Sequence, residues 1–356
     1  MKRNGLHRAL GILALCAVSV AAQAQQQSGF SLTLIGNNYP DDLSRQFGVS
    51  DISDRGDVAG ARGLPNGDSV AFIWRNGVFR ELNGRLSARS AAGGTLNDSL
   101  DIAGSFTDAQ SQNHSYLLRA AGQLIEITEQ GRNILGPLDM NNRRQVLLMV
   151  LDNATGFSQA LWRQGTALAP LEPLPGSMST TAKRLNDVGV VVGTATFAAR
   201  SSAVLWQNGT IMPLPQPKGS SFVSGIDLSN DGTVLMNAIF PAAPARSTVV
   251  LWKNGTLTAL KPYRGLTWAD ASDIGNNGVI VGRSYNGPGA ADMTATIWRA
   301  GIPNDLNTRV LSTDPLKPFV HLQWGLLVSD WGYIVARGVD SRYSDGRVGL
   351  YLLTPH

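Results

Sequence analysis

The chain is 356 residues long, 43% apolar, with one cysteine and a formal charge of +4. Its 16% of charged residues lies below the roughly 25% of an average domain, which suits a chain rich in β-sheet and short turns. Without Lys2, Arg3 and Arg8 of the N-terminal leader, 27 Lys and Arg face 26 Asp and Glu, so the charge carries no nucleic-acid footprint.

Taken in chain order, residues 1–24 read as a signal peptide. Lys2, Arg3 and Arg8 supply the positive start, Ala9 to Ala22 the apolar run, and Ala22-Gln23-Ala24 the small-x-small cleavage pattern. Lipidation at Cys16 would need a small residue before it, and Leu15 stands there. Cleavage near Gln25 leaves a mature chain without cysteine, in a compartment that would permit disulfides. No later run is long enough to cross a bilayer as a helix. The exported chain, residues 25–356, is expected to be one domain in the periplasm or outside the cell.

After a strand-like run, Phe30-Ser31-Leu32-Thr33-Leu34-Ile35, one phrase recurs seven times. It is an apolar residue, Asn or Ser (Gly275 in the sixth copy), Asp or Asn, any residue, usually Gly, any residue, then Val or Ile. Its turn position falls at Gly56, Leu100, Arg144, Gly189, Gly232, Gly278 and Gly332, spaced 44, 44, 45, 43, 46 and 54 residues apart. The apolar columns that flank it are filled in every copy, for example Leu185 with Val191 and Ile274 with Ile280, so both face a core. An anchor follows each turn: Trp74, Leu118, Trp162, Trp206, Trp252, Trp298 and Tyr351. Next come hairpin turns such as Asn76-Gly77, Asn208-Gly209 and Asn254-Gly255, whose residues supply the positive φ of a two-residue loop. Asn, Asp and Gly in these turns also suit calcium, but one or two carboxylates per loop and no glutamate at EF-hand spacing favour the hairpin.

Between turns the chain alternates as half-buried strands do, as in Thr256-Leu257-Thr258-Ala259-Leu260, and no amphipathic helical period lasts three turns. A repeat of about 44 residues with four strands has the size of a propeller blade. The expected fold is all-β, a seven-bladed β-propeller. Blade seven lacks its fourth strand, and the run Phe30–Ile35 supplies it and closes the ring. An open β-solenoid is the alternative.

The phrase Leu185-Asn186-Asp187-Val188-Gly189-Val190-Val191-Val192-Gly193, followed by Ser202-Ala203-Val204-Leu205-Trp206-Gln207-Asn208-Gly209, resembles the probable extracellular repeat called HAF, after a His-Ala-Phe tripeptide. The tripeptide slot holds Val70-Ala71-Phe72 in the first copy and His114-Ser115-Tyr116 in the second. Copies two and three lose the turn glycine. The ending Asn304-Asp305-Leu306-Asn307, then Trp324-Gly325, is similar to the family's own and accounts for the long last spacing. The resemblance covers residues 45–356. It implies a secreted bacterial propeller-like protein and carries no catalytic residues over.

A search for chemistry yields little. The mature chain has three scattered histidines, His114, His321 and His356, so no metal site is expected. His114 fills the repeat's His slot, which points to a structural role. Neither a nucleophile elbow nor a phosphate loop occurs, and no cofactor is expected. Five Asn-x-Ser/Thr sequons, including Asn153 and Asn254, read as turn chemistry.

In a propeller the inner-strand turns lie on one face and the variable loops on the other, where binding resides. Tyr39, Tyr263, Trp268, Tyr285 and Tyr343 fall off the core columns and are the candidate ligand-binding residues, for an unknown glycan, peptide or protein. Plugging the channel or packing between blades is the competing role for each. The function expected is non-catalytic binding by a monomer. A carbohydrate-active hydrolase or lyase with acidic residues at the channel mouth is the alternative, and a purely structural or adhesive role is the third.

Overall fold

A computed structural model of the chain describes residues 29–39, 46–130, 132–152, 156–163, 168–242, 244–290 and 292–356. The leader, Cys16 and the sequon at Asn153 lie outside the described residues.

Each repeat folds as its turns dictate. In the first, Phe47–Ile52, Val58–Gly63, Ser69–Arg75 and Val78–Glu81 pair antiparallel in chain order. The turn between the first two strands closes with the Gly56 N–H donating to Ser53 O at 3.0 Å, and Gly56 has φ +80°. Glycine adopts that conformation freely, whereas Leu100 at +61° and Arg144 at +59° are held in it by their surroundings. Both residues of Asn-Gly at 76, 208 and 254 are left-handed at φ, as type I′ hairpins require.

Later repeats vary this plan. In the second, the inner strand is split into Ser90–Ala91 and Thr95–Leu96. The fourth and fifth form one eight-stranded sheet through a single parallel bridge, Ser201 to Phe222. In the last, Val320–Val328, Ile334–Asp340 and Val348–Pro355 are joined on the outer edge by the chain's first strand, Phe30–Asn38. Helix among the described residues is limited to Asn83–Leu86 and a 3-10 turn, Leu306–Arg309. No helix there is long and apolar enough to cross a membrane.

A feature invisible in the strand pattern shapes the interior. Six inner strands carry a β-bulge at the same place, between Val49 and Asp51, Pro137 and Asp139, Ala182 and Arg184, Gly225 and Asp227, Ala271 and Asp273, and Gly325 and Leu327. A bulge adds one residue and re-aims its neighbours. It brings the inner strand against the second one so closely that a Cβ on Gly193 or Gly282 would lie 2.1 Å from the carbonyl oxygen of Thr181 or Asp270. Only glycine fits there.

Apolar clusters fill the spaces between consecutive sheets, so the strands are buried on both faces. Leu147 and Leu161 of the third repeat meet Val191 and Trp206 of the fourth. Ile52, Val58 and Trp74 of the first meet Leu327, Val335 and Leu350 of the last. Trp74, Trp162, Trp206 and Trp298 are buried as expected, and Trp252 is half-buried. Trp206 and Trp298 donate Nε1–H to Glu172 O and Lys261 O, both at 2.8 Å, whereas the Trp252 indole has no acceptor.

Candidate functional site

The turns converge. Each presents one Asp or Asn whose backbone N–H donates to Oδ1 of the equivalent residue in the next repeat. Asp54 donates to Asp98, then in turn come Asn142, Asp187, Asn230, Asn276 and Asp330, over 2.5–2.9 Å. The N–H of Asp330 donates back to Asp54 Oδ1 at 3.0 Å. The hydrogen bonds form a complete ring.

Three residues earlier in each repeat lies a second tier: Asp51, Thr95, Asp139, Arg184, Asp227, Asp273 and Leu327. All but Thr95 follow a bulge, and Asp51, Asp139, Arg184, Asp227 and Asp273 line, together with the ring residues, a cavity of about 150 Å³. Asp51, Asp139, Asp227 and Asp273 each accept the N–H of the next apolar column residue in space: Leu96, Leu185, Ile274 and Val328, at 2.7–3.1 Å. Burial pushes the Asp139 carboxyl up to about 7 and raises Asp51 and, further still, Asp273. Burial pulls the Arg184 guanidinium the other way, but the attraction of Asp139, Asp227, Asp273 and Asp51 outweighs it and keeps the cation. Perturbed acids often mark active sites, yet structural networks perturb them too. These oxygens fasten one repeat to the next, so both tiers are read as structural. Among the described residues no group of three or more His, Cys, Asp or Glu side chains is disposed to hold a metal ion.

On the opposite side the predicted aromatics fall into two groups. The Arg347 guanidinium stands 4.0 Å from the Tyr343 ring centre and 4.9 Å from that of Tyr39. Arg342 stands 4.8 Å from Phe319 and 5.8 Å from Tyr343. Both guanidiniums are aimed by carboxylates, Arg342 through Nε and Nη2 on Asp340 and Arg347 through the same atoms on Asp345. Hydrogen bonds from those arginines hold the Asp340 and Asp345 carboxyls below the usual range. Tyr343 is 45% exposed.

The second group lies where the sixth repeat meets the seventh. Trp268 and Tyr285 lie within strands rather than loops, with ring centres 5.8 Å apart. Tyr285 is buried and donates its hydroxyl to Asp270 Oδ2 at 2.7 Å. Burial and that bond raise its phenol, which stays neutral. Arg283 pairs with Asp270 at 3.1 Å and stacks 4.0 Å from Trp324, whose indole donates to Ser272 Oγ. Tyr263 joins through its backbone N–H, which donates to Ser284 Oγ at 2.9 Å. Tyr285 therefore carries mainly a packing role, while Tyr343 is exposed and Tyr39 half-buried beside it.

Sequence reasoning named no arginine among the candidate residues and missed the second tier. Four aspartates among the seven positions before the apolar column were the available signal. It also left His114 without partners. The ring stacks on Phe106 with centres 4.8 Å apart and is held by Glu126 at 2.8 Å and Asp108 at 3.2 Å.

The fold resembles solved β-propellers. It matches the β-propeller domain of the Trilobed protease from Pyrococcus furiosus with TM-score 0.57 and 10% identity, covering 88% of this chain and 94% of that one. A puromycin-hydrolyzing peptidase of Mycobacterium tuberculosis matches with TM-score 0.53 and 11% identity over 90% of this chain. This chain spans 56% of that peptidase. No family model matches the chain, and no curated protein matches it in sequence. At these identities the likeness defines the class by fold: a β-propeller.

Proposed function

We propose that the protein is an exported, ring-closed, seven-bladed β-propeller that binds a glycan on its loop side. Seven turn phrases, the hydrogen-bond ring that returns to Asp54, the apolar cluster between first and last repeats, and the first strand on the last sheet all support that blade count and closure. The Pyrococcus propeller is described as having an open velcro topology, so closure by strand pairing would be a difference from it. The leader pattern at residues 1–24 supports export, and the HAF-type repeat reading belongs to the same proposal.

The observation that carries the binding role is the grouping of exposed Tyr343 and Arg342 with half-buried Tyr39 and Arg347. Ring faces offer stacking area at low entropic cost, and guanidinium–carboxylate pairs offer fixed donors and acceptors without net charge. Sugars present that combination of C–H faces and hydroxyls. The hydrolase alternative is disfavoured by electrostatics, because a general acid needs a raised pKa. Asp340 and Asp345 are shifted down, and the raised acids lie in the small axial cavity.

The test is a glycan array on the mature chain, followed by Tyr343→Ala and Tyr39→Ala measured singly against the best hit. Each truncation is expected to cost about 2 kcal/mol or more in binding if it removes a hot spot. Unchanged affinity in both variants would remove the loop-side site, and turnover of the hit would replace binding with catalysis.

A further inference from the structure

Between the first and second repeats, beside the Asn76-Gly77 hairpin, lies a groove of about 550 Å³. Leu82 and Ile102 form part of its floor, and Arg75, Arg80, Arg85 and Arg119 line its walls. Arg75 is paired, its Nε 3.1 Å from Asp57 Oδ1. Arg80 and Arg85 have no ion pair or side-chain hydrogen bond among the described residues, and no carboxylate lines the groove. Gathered guanidiniums repel one another unless an anion is supplied.

The same fold provides its own comparison. A groove of about 680 Å³ recurs between the fifth and sixth repeats. There Thr258 pairs with Leu251 as Arg80 pairs with Ile73, and Thr256 pairs with Lys253 as Val78 pairs with Arg75. Lys253 is taken up by Asp231. The repeat therefore builds the cleft, and the first copy alone of these two fills it with unpaired guanidinium.

We infer that the groove between the first and second repeats binds a small amphipathic anion. Arg80 and Arg85 hold its carboxylate or phosphate head, and its aliphatic body lies on the floor beside Val78, which is 65% exposed. The volume falls within the roughly 300–1,000 Å³ of small-molecule sites, which favours a small ligand over a protein surface. The site is independent of the loop-side reading.

Calorimetry on the mature chain with octyl phosphate, octanoate, inorganic phosphate and octyltrimethylammonium tests it. Both amphipathic anions should bind, and more weakly at high salt. Inorganic phosphate should bind far less well, and the cation not at all. Replacing both guanidiniums, Arg80→Thr with Arg85→Ala, should weaken octyl phosphate by about tenfold or more, from the loss of charge-assisted hydrogen bonds. Lys253→Thr in the equivalent groove should change nothing. Arg80→Thr installs the residue the fifth repeat already carries there; should the double variant still misfold, Arg85→Ala alone is read instead. Undiminished binding in the arginine variant, an equal loss in Lys253→Thr, or equal affinity for inorganic and octyl phosphate would each overturn the inference. So would binding to phosphatidylglycerol vesicles without binding to either free anion.

Discussion

Asp54 stands between two carboxylates, Asp330 and Asp98, at the one arc of the ring where three acids are consecutive. Elsewhere asparagines relieve the repulsion. Asn142 donates Nδ2–H to Asp98 and Asp187, Asn230 to Asp187, and Asn276 to Asp330. Burial, then repulsion from Asp98 and Asp330, pushes Asp54 up to about 6. A carboxyl raised on folding favours the fold while it is protonated, and that contribution is lost as pH rises through its folded pKa. Asp54→Asn keeps the Oδ1 acceptor and supplies the missing Nδ2 donor. The variant should match the parent below about pH 4 and exceed it above about pH 6. Because Asp54 is partly exposed, screening reduces the gain to about 1 kcal/mol. Urea melts at both ends of that range measure it, and superimposable curves would show that the ring acids do not repel.

At the scale of the element, the strands were legible because turn chemistry and apolar columns repeat together. Asn-Gly pairs located the hairpins, and the Trp column located the third strands. The bulges were not legible, since one extra inward residue leaves no mark on a short alternating run. Arg184 shows the consequence. In the sequence it is one cation before an apolar residue, whereas in space it faces Asp51, Asp139, Asp227 and Asp273 from four other inner strands. Thr95 and Leu327 complete the tier, with Lys183 on its own strand. Arg184→Met would leave four carboxylates without their shared cation. Breaking a buried network of this kind costs about 3–5 kcal/mol. Three of those acids are already raised, so the loss should be greatest at alkaline pH and shrink toward acid as they protonate. Melting temperatures across pH would test this, and a pH-independent loss would point to packing instead. The aromatic candidates were legible only as residues off the core columns. Which of them meet was set by strand register, which puts Trp268 opposite Tyr285 in one sheet and brings Tyr39 and Tyr343 to the same arginine.

At the scale of the whole molecule, the first strand pairs with the last. Phe30–Asn38 pairs along Val348–Pro355 with one bulge between Leu34 and Gly36. The Leu32 N–H donates to Asp314 at 2.6 Å, and the Leu311 N–H donates to Phe30 O at 2.9 Å. Phe30, Leu32 and Ile35 are buried, each contributing on the order of 1.5–3 kcal/mol. Deleting residues 25–38 would remove those side chains and expose the edge of Val348–Pro355. An unpaired apolar edge is a template for pairing with another copy. The shortened chain should melt lower and self-associate, read by light scattering after size exclusion. A synthetic peptide of residues 29–39 should reverse both effects by filling the same edge. A shortened chain that stays monomeric and melts at the parental temperature would mean that the inter-repeat hydrogen-bond ring and the apolar cluster hold the ends together without the strand.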